Sequence, residues 1–114
     1  MNYVKPSLFL QRIKANYFVI IAKSQEKIAG IIEVRNYKHL SLLFVLRESQ
    51  LKGISKELLR RSIETCLTHK PNLQQITVNS SPNGVDIYEK LGFKKVGSEQ
   101  LRNGIIFTPM IFEL

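Results

Sequence analysis

The sequence predicts an α/β (α+β) protein: a mixed, mostly antiparallel sheet with helices packed on it. Three observations lead there. Residues 17–22, 28–35 and 40–46 are apolar, β-branched and aromatic runs separated by short polar turns. From residue 51 the apolar period lengthens to steps of three and four. Beyond Pro71 a strand-like run, a helix-like run and two more strand-like runs reach the C-terminus.

Each element has a local reason. Residues 8–15 carry apolar side chains at 8, 9, 10, 13 and 15, a spacing that predicts the end of a helix. Residues 17–22 read as a strand, Ser24-Gln25-Glu26-Lys27 as a turn, 28–35 as a strand and Asn36-Tyr37-Lys38 as a turn. Residues 40–46 are nearly all apolar, which suits a central strand covered on both faces. Ile54, Leu58, Leu59, Ile63, Cys66 and Leu67 then form the buried stripe of an amphipathic helix. Lys56, Glu57, Arg60, Arg61 and Glu64 fill its other face, and Glu57 with Arg61 is a favourable i,i+4 pair. His69 falls at the helix C-terminus, where a cation suits the dipole. Residues 73–79 make the next strand.

Ser81 and Pro82 predict a capped helix start, and the helix runs through Tyr88 to Leu91. Gly92 supplies the left-handed residue that ends it, with Phe93 packed behind. Residues 94–97 begin a strand, Asn103-Gly104 signals a hairpin, and 105–112 form the last strand, where Pro109 marks an edge or a bulge. Strands joined by short turns pair antiparallel, whereas the strand–helix–strand crossover around 51–66 requires a parallel pair.

Composition bounds the rest. The 114 residues correspond to a single domain, 1–114, large enough for one core. A hydrophobic content of 44% against 23% charged argues against a disordered tail. One cysteine excludes an internal disulfide framework and a multi-cysteine zinc site, so no metal is expected. The longest apolar run is far short of a bilayer span, and no small-x-small cleavage site follows it, which predicts a soluble, cytoplasmic protein. The net charge of +8 suits an anionic partner. The basic residues are scattered, however, and no aromatic RNA-binding motif or zinc-finger spacing accompanies them, so nucleic acid is not the expected ligand.

Two stretches carry candidate chemistry. Residues 45–56, VLRESQLKGISK, join an apolar strand to a helix start. Amides of a first helical turn lack intrahelical acceptors and the dipole favours anions there. Gly53 permits close approach, and Lys52 and Lys56 add positive charge, which together describe a phosphate or pyrophosphate cradle. It is neither a Walker loop nor a dinucleotide fingerprint, because both spacings are missing. Residues 78–93, VNSSPNGVDIYEKLGF, form the second stretch.

Together the two stretches resemble the GNAT (GCN5-related) N-acetyltransferase family. The first resembles its acetyl-CoA loop, Arg/Gln-x-x-Gly-x-Gly/Ala, and the second its late helix ending Tyr-Glu-Lys-Leu-Gly-Phe. The resemblance extends from about residue 18 to the C-terminus. It implies a GNAT-like acyl-CoA N-acyltransferase fold lacking the first strand and helix, with residues 8–15 a remnant of the second helix. It implies acetyl-CoA as co-substrate, seated where the strands at 40–46 and 73–79 splay apart. Main-chain groups near Leu43, Phe44 and Val45 would pair with the pantetheine arm. Amides of Gln50, Leu51, Lys52, Gly53, Ile54, Ser55 and Lys56 would hold the pyrophosphate. Ser81 matches the family's helix-start Asn, and Asn79 lies close enough to substitute. Tyr88 matches the residue that protonates the departing thiolate.

The implied reaction is direct acetyl transfer to a primary amine of a small molecule or peptide. The attacking amine must be neutral, so a base must remove a proton. The family's fifth-strand base position is Ile76 here, which cannot serve; Glu33 and His39 are the alternatives. Cys66 reads as core. The short N-terminus leaves a sheet face that a second copy of the chain would cover, so a homodimer is expected. Two other readings stay open: a shortened acyl-CoA-binding module without efficient transfer, and a basic protein that interacts with nucleic acid or tRNA.

Overall fold

The fold, a computed structural model, is described for residues 8–24, 27–47 and 53–114. An antiparallel meander opens it: β1 (Leu8–Ile13), β2 (Tyr17–Ser24), β3 (Lys27–Arg35) and β4 (His39–Val45). Helix α1 (Ile54–His69) then crosses to β5 (Gln75–Ser80), which runs parallel to β4. A 3-10 turn (Pro82–Gly84) and α2 (Val85–Leu91) lead to the short strands β6 (Lys94–Lys95) and β7 (Gln100–Arg102) and the long β8 (Ile105–Glu113). The sheet order is β1-β2-β3-β4-β5-β8-β6, with β7 also paired to β8. This is the mixed, mostly antiparallel sheet with packed helices that the sequence predicts. Among the described residues no helix is long and apolar enough to cross a membrane.

Alternation along the strands decides which face is core. Cross-strand rows such as Phe18–Val34–Leu40–Val78–Met110 place buried side chains on the face that α1 covers. Ile54, Leu58, Leu59 and Cys66 of α1 complete that core. Burial pushes the Cys66 thiol up to about 11, as befits a core side chain. At the far end of α1, Tyr37 lies between Phe18 and His69, its ring stacked 4.0 Å from the imidazole. The opposite rows, Leu10–Ile21–Ile31–Phe44 and Arg12–Val19–Glu33–Leu42, lie on a face that no described helix covers. Leu42 and Phe44 are 45% and 50% exposed there.

The N-terminal segment departs from expectation. Residues 8–15 are not the remnant of a helix: Leu8–Ile13 is a strand, hydrogen-bonded to β2 in full register. Apolar residues at 9 and 13 fit both a helical and an alternating pattern, so spacing alone does not choose. The exposed edge of β2 decides, because pairing satisfies the backbone of both strands. Phe9 then packs under the Arg61 guanidinium of α1 at 4.0 Å, and Gln11 reaches Thr65. A tight turn closed by Lys14 N–H to Tyr17 C=O, 2.8 Å, joins β1 to β2 with no helix between them.

The C-terminal half is also more divided than expected. The strand begun at 94–97 pairs only over Lys94–Lys95, and β7 is an additional strand. The hairpin forms as the Asn-Gly signal predicts, with both residues at positive φ (51° and 78°). Pro109 is neither on an edge strand nor at a bulge of β8. Its carbonyl accepts from Val96 where the partner chain breaks between β6 and β7, so its missing N–H interrupts no ladder.

Gly92 ends α2 at φ 110°, with its own N–H and that of Phe93 returning to Glu89 and Tyr88. A Cβ there would stand 2.9 Å from Cε2 of Phe112. Gly92→Ala is therefore expected to destabilise the fold by about 2 kcal/mol, combining left-handed strain with that overlap. The shift in urea midpoint at constant m-value measures it.

Candidate functional site

The site begins where β4 and β5 part. Their parallel ladder holds at two registers only, His39↔Thr77 and Leu40↔Val78. Beyond them β4 continues to Val45 and β5 to Ser80 without pairing to one another. A bulge at Ser41 starts the divergence, since Leu40 faces Val34 and Leu42 faces Glu33 with Ser41 between them. The Ser41 hydroxyl holds the bulge by donating to the Glu33 carbonyl (3.2 Å) and carboxylate (2.8 Å). The result is a cleft walled by two strands whose facing edges do not pair with one another. Leu43 is half-buried, Phe44 exposed and Val45 buried along the β4 wall.

Helix α1 starts above the end of β4. Gly53 stands at its N-cap with φ 78°, and its carbonyl accepts the first helical bond from Glu57, 3.0 Å. No described side chain caps this end, and the amides of Ile54, Ser55 and Lys56 have no acceptor within the helix. A Cβ on Gly53 would meet no described atom within 4 Å. Glu57, the one acidic residue of that turn, is turned back along the helix by Arg61 (3.0 Å) and Arg60 (3.0 Å). Those partners hold its carboxyl down at about 2. The helix end thus offers donors and a positive dipole to an anion. Gln50, Leu51 and Lys52, the rest of the expected cradle, lie outside the described residues.

The end of β5 forms the other wall. Ser80 is buried, and its hydroxyl donates to the Ser81 carbonyl at 2.8 Å. Ser81 does precede a helical turn, but its side chain makes no cap bond. The chain first makes a 3-10 turn closed by Gly84 N–H to Ser81 C=O, and α2 begins only at Val85. Gly84 is the reason that turn packs so closely. A Cβ there would lie 2.9 Å from Ser80 Oγ, 3.2 Å from Ser81 Oγ and 3.4 Å from Tyr88 Cε2. Tyr88 is thereby held beside the two serines, edge-on to Phe93 at 5.4 Å. Burial pushes its phenol above the ordinary value, so it stays protonated well past neutral pH. Its hydroxyl has no hydrogen-bond partner among the described residues. Asn79 and Ser81 are both exposed nearby.

The two base candidates lie on the uncovered face. Glu33 is engaged by Ser41 and, at 3.5 Å, by Arg35. His39 begins β4 beside the start of the cleft, half-buried, with Nδ1 2.6 Å from Thr77 Oγ1. Burial first, and the charges of Arg35 and Lys38 next, push its imidazole below the ordinary value, so it is neutral at pH 7. Ile76 is buried in the core, consistent with its exclusion as a base. No hydrogen bond or ring contact joins Tyr88 to His39 or Glu33. Thr77 and Ser80 were not among the sequence candidates. Only the parallel register and the close turn at Gly84 reveal them. Among the described residues no group of three or more His, Cys, Asp or Glu gathers as a metal site.

Known proteins share the family and the fold. The family model described as "Acetyltransferase (GNAT) domain" matches residues 1–114. A Rhodopseudomonas palustris protein described as a GCN5-related N-acetyltransferase superposes with a TM-score of 0.72 at 19% identity, covering 86% of this chain and 62% of that one. An IAA acetyltransferase from Bacillus cereus gives 0.65 at 22%, covering 87% and 79%. A mutant of spermidine N-acetyltransferase from Vibrio cholerae gives 0.64 at 20%, covering 87% and 65%. The chain thus spans about two thirds of the length of several proteins whose fold it shares.

Gly84 provides a test of the site's packing. Helix propensity favours alanine over glycine by about 1 kcal/mol. The overlap with Ser80 Oγ predicts the opposite sign. Gly84→Ala is expected to lower stability by roughly 1–2 kcal/mol, the cost of breaking the buried Ser80 hydrogen bond, in thermal or urea unfolding.

Proposed function

The chain belongs to the GNAT acetyltransferase family, and on that premise we propose that it moves an acetyl group from acetyl-CoA directly to a primary amine of a small molecule or peptide. The observation that carries this reading is the cleft between β4 and β5, which ends at the uncapped first turn of α1. Its residues fit the co-substrate. Strand edges at Leu43, Phe44 and Val45 suit the amide-bearing arm, and Gly53, Ile54, Ser55 and Lys56 suit the pyrophosphate. Gln50, Leu51 and Lys52 continue that cradle in the sequence, and Asn79 and Ser81 line the β5 side.

Acetyl-CoA supplies a thioester whose acetyl group an amine can accept. The residues of the chain provide the proton handling. Tyr88 holds a phenolic proton in a half-buried setting beside Ser80 and Ser81, and is the acid for the leaving sulfur. His39 is preferred to Glu33 as base. Its Nε2 has no partner among the described residues, and its ring is neutral at pH 7, whereas the Glu33 carboxylate is held by Ser41 and Arg35. A homodimer belongs to the same reading, with the exposed Leu42 and Phe44 face as the contact. That open face also favours a second reading, a module that binds acyl-CoA without efficient transfer.

Calorimetric titration with acetyl-CoA is expected to give micromolar affinity. Gly53→Asp should abolish it while melting close to Gly53→Ala, which carries the same backbone strain without the charge. No binding to the native chain would remove both acyl-CoA readings. Turnover against an amine panel separates them, because Tyr88→Phe should lower kcat by about 10²-fold with acetyl-CoA affinity unchanged in an enzyme.

The pH dependence follows from two shifts. His39 is lowered below 6.5, so kcat/KM should rise with pH through a midpoint under that value. Tyr88 is raised above 10, so the plateau should hold to at least that pH. The half-buried, neutral His39 also favours the fold above 6.5, and that contribution is lost as pH falls through its lowered value.

A further inference from the structure

His39 Nδ1 and Thr77 Oγ1 meet at 2.6 Å across the first register of the β4–β5 ladder. The backbone beneath them is fixed from both sides. Thr77 N–H donates to Lys38 C=O at 2.9 Å, and Arg35 of β3 pairs with His39 on its other edge. A ring nitrogen committed to Thr77 cannot exchange a proton with an incoming amine. That leaves Nε2, which has no hydrogen-bond partner among the described residues.

A neutral imidazole carries one N–H. If that hydrogen sat on Nε2, the nitrogen would have no lone pair to offer. Nε2 accepts a proton only when Nδ1 carries the hydrogen and Thr77 Oγ1 accepts it. We propose that Thr77 is a positioning residue that holds His39 in the Nδ1–H tautomer and so presents the Nε2 lone pair to the acceptor amine. The proposal rests on His39 being the base of the acetyl transfer.

The proton step balances simply. An N–H bond of the acceptor ammonium breaks, its nitrogen keeps the electron pair, and an Nε2–H bond forms. The imidazolium then passes the proton to water. The charged groups that bear on His39 are Arg35 from β3 and Lys38 from the preceding turn, both positive. β5 contributes the uncharged Thr77, backed in register by Ile111 of β8. The two cations disfavour a lasting imidazolium and favour release of the proton. Valine keeps the shape and β-branching of Thr77 in the strand while removing the oxygen.

Two-bond proton–nitrogen NMR correlation of His39 in the full chain at pH 7.5, with steady-state kinetics of Thr77→Val and Thr77→Ser, tests this. The native ring should carry its hydrogen on Nδ1. Thr77→Val should move it to Nε2 and lower kcat by at least about tenfold with KM for acetyl-CoA unchanged. Thr77→Ser should restore tautomer and rate together. An Nε2–H ring in the native chain, or native kcat in Thr77→Val, overturns the proposal. Native kcat in His39→Ala overturns it by a different route. It shows that the base lies elsewhere, whatever tautomer the spectrum reports.

Discussion

The separation of two neighbouring strands is the constraint on which the remaining structure depends. β4 and β5 are parallel neighbours, yet they share a ladder at only His39↔Thr77 and Leu40↔Val78. A continuous ladder would close the cleft and satisfy both backbones. The bulge at Ser41 opposes this by bending β4 and increasing its local twist. Leu40 and Val78 remain in the shared core, so the sheet is held together below the bulge and open above it. Above the bulge the two facing edges are left apart, which is how a simple irregularity opens a cleft.

Electrostatics complements that opening. A glutamate in the first turn of a helix normally competes with an anion for the dipole. Here Arg60 and Arg61 draw the Glu57 carboxylate towards the C-terminal side of its own turn. Arg60 bridges onward to Glu64, so the pairing is a small network along one exposed helix face. Such exposed pairs contribute little stability. Their consequence is local: the one acidic group of the first turn is already occupied. The overall charge of +8 acts in the same direction over longer range.

Most of the architecture was legible because each strand and helix has a strong local pattern. The meander, the crossover helix, the Gly92 stop and the Asn103-Gly104 turn all follow from period, turn residues and caps. The misses share one cause. Residues 8–13 carry an ambiguous pattern, and a neighbouring edge that sequence does not display decided for a strand. Pro109 was read as an edge or bulge, but it is tolerated because a gap in the adjoining strand coincides with it. Gly84 is a poor helix former by propensity, yet the Ser80 hydroxyl leaves no room there for a Cβ. For the site, Tyr88 and Gly53 were singled out by the resemblance and by motif spacing. Thr77 was not, because its relation to His39 spans 38 positions and depends on register.

The narrow join between the two halves also shapes how the chain assembles. β1 to β4 are successive hairpins, whose partners lie close in sequence, so their loop-closure cost is small. β5 and β8 pair with one another across the α2 excursion and form a second unit. The short β4–β5 ladder and the shared core under α1 unite them, and the ladder demands long-range closure. Contact-order reasoning therefore has the meander gaining structure first, including during synthesis, when the N-terminal half emerges ahead of the rest. The halves meet at the cleft itself, so the candidate site is complete only when both have formed.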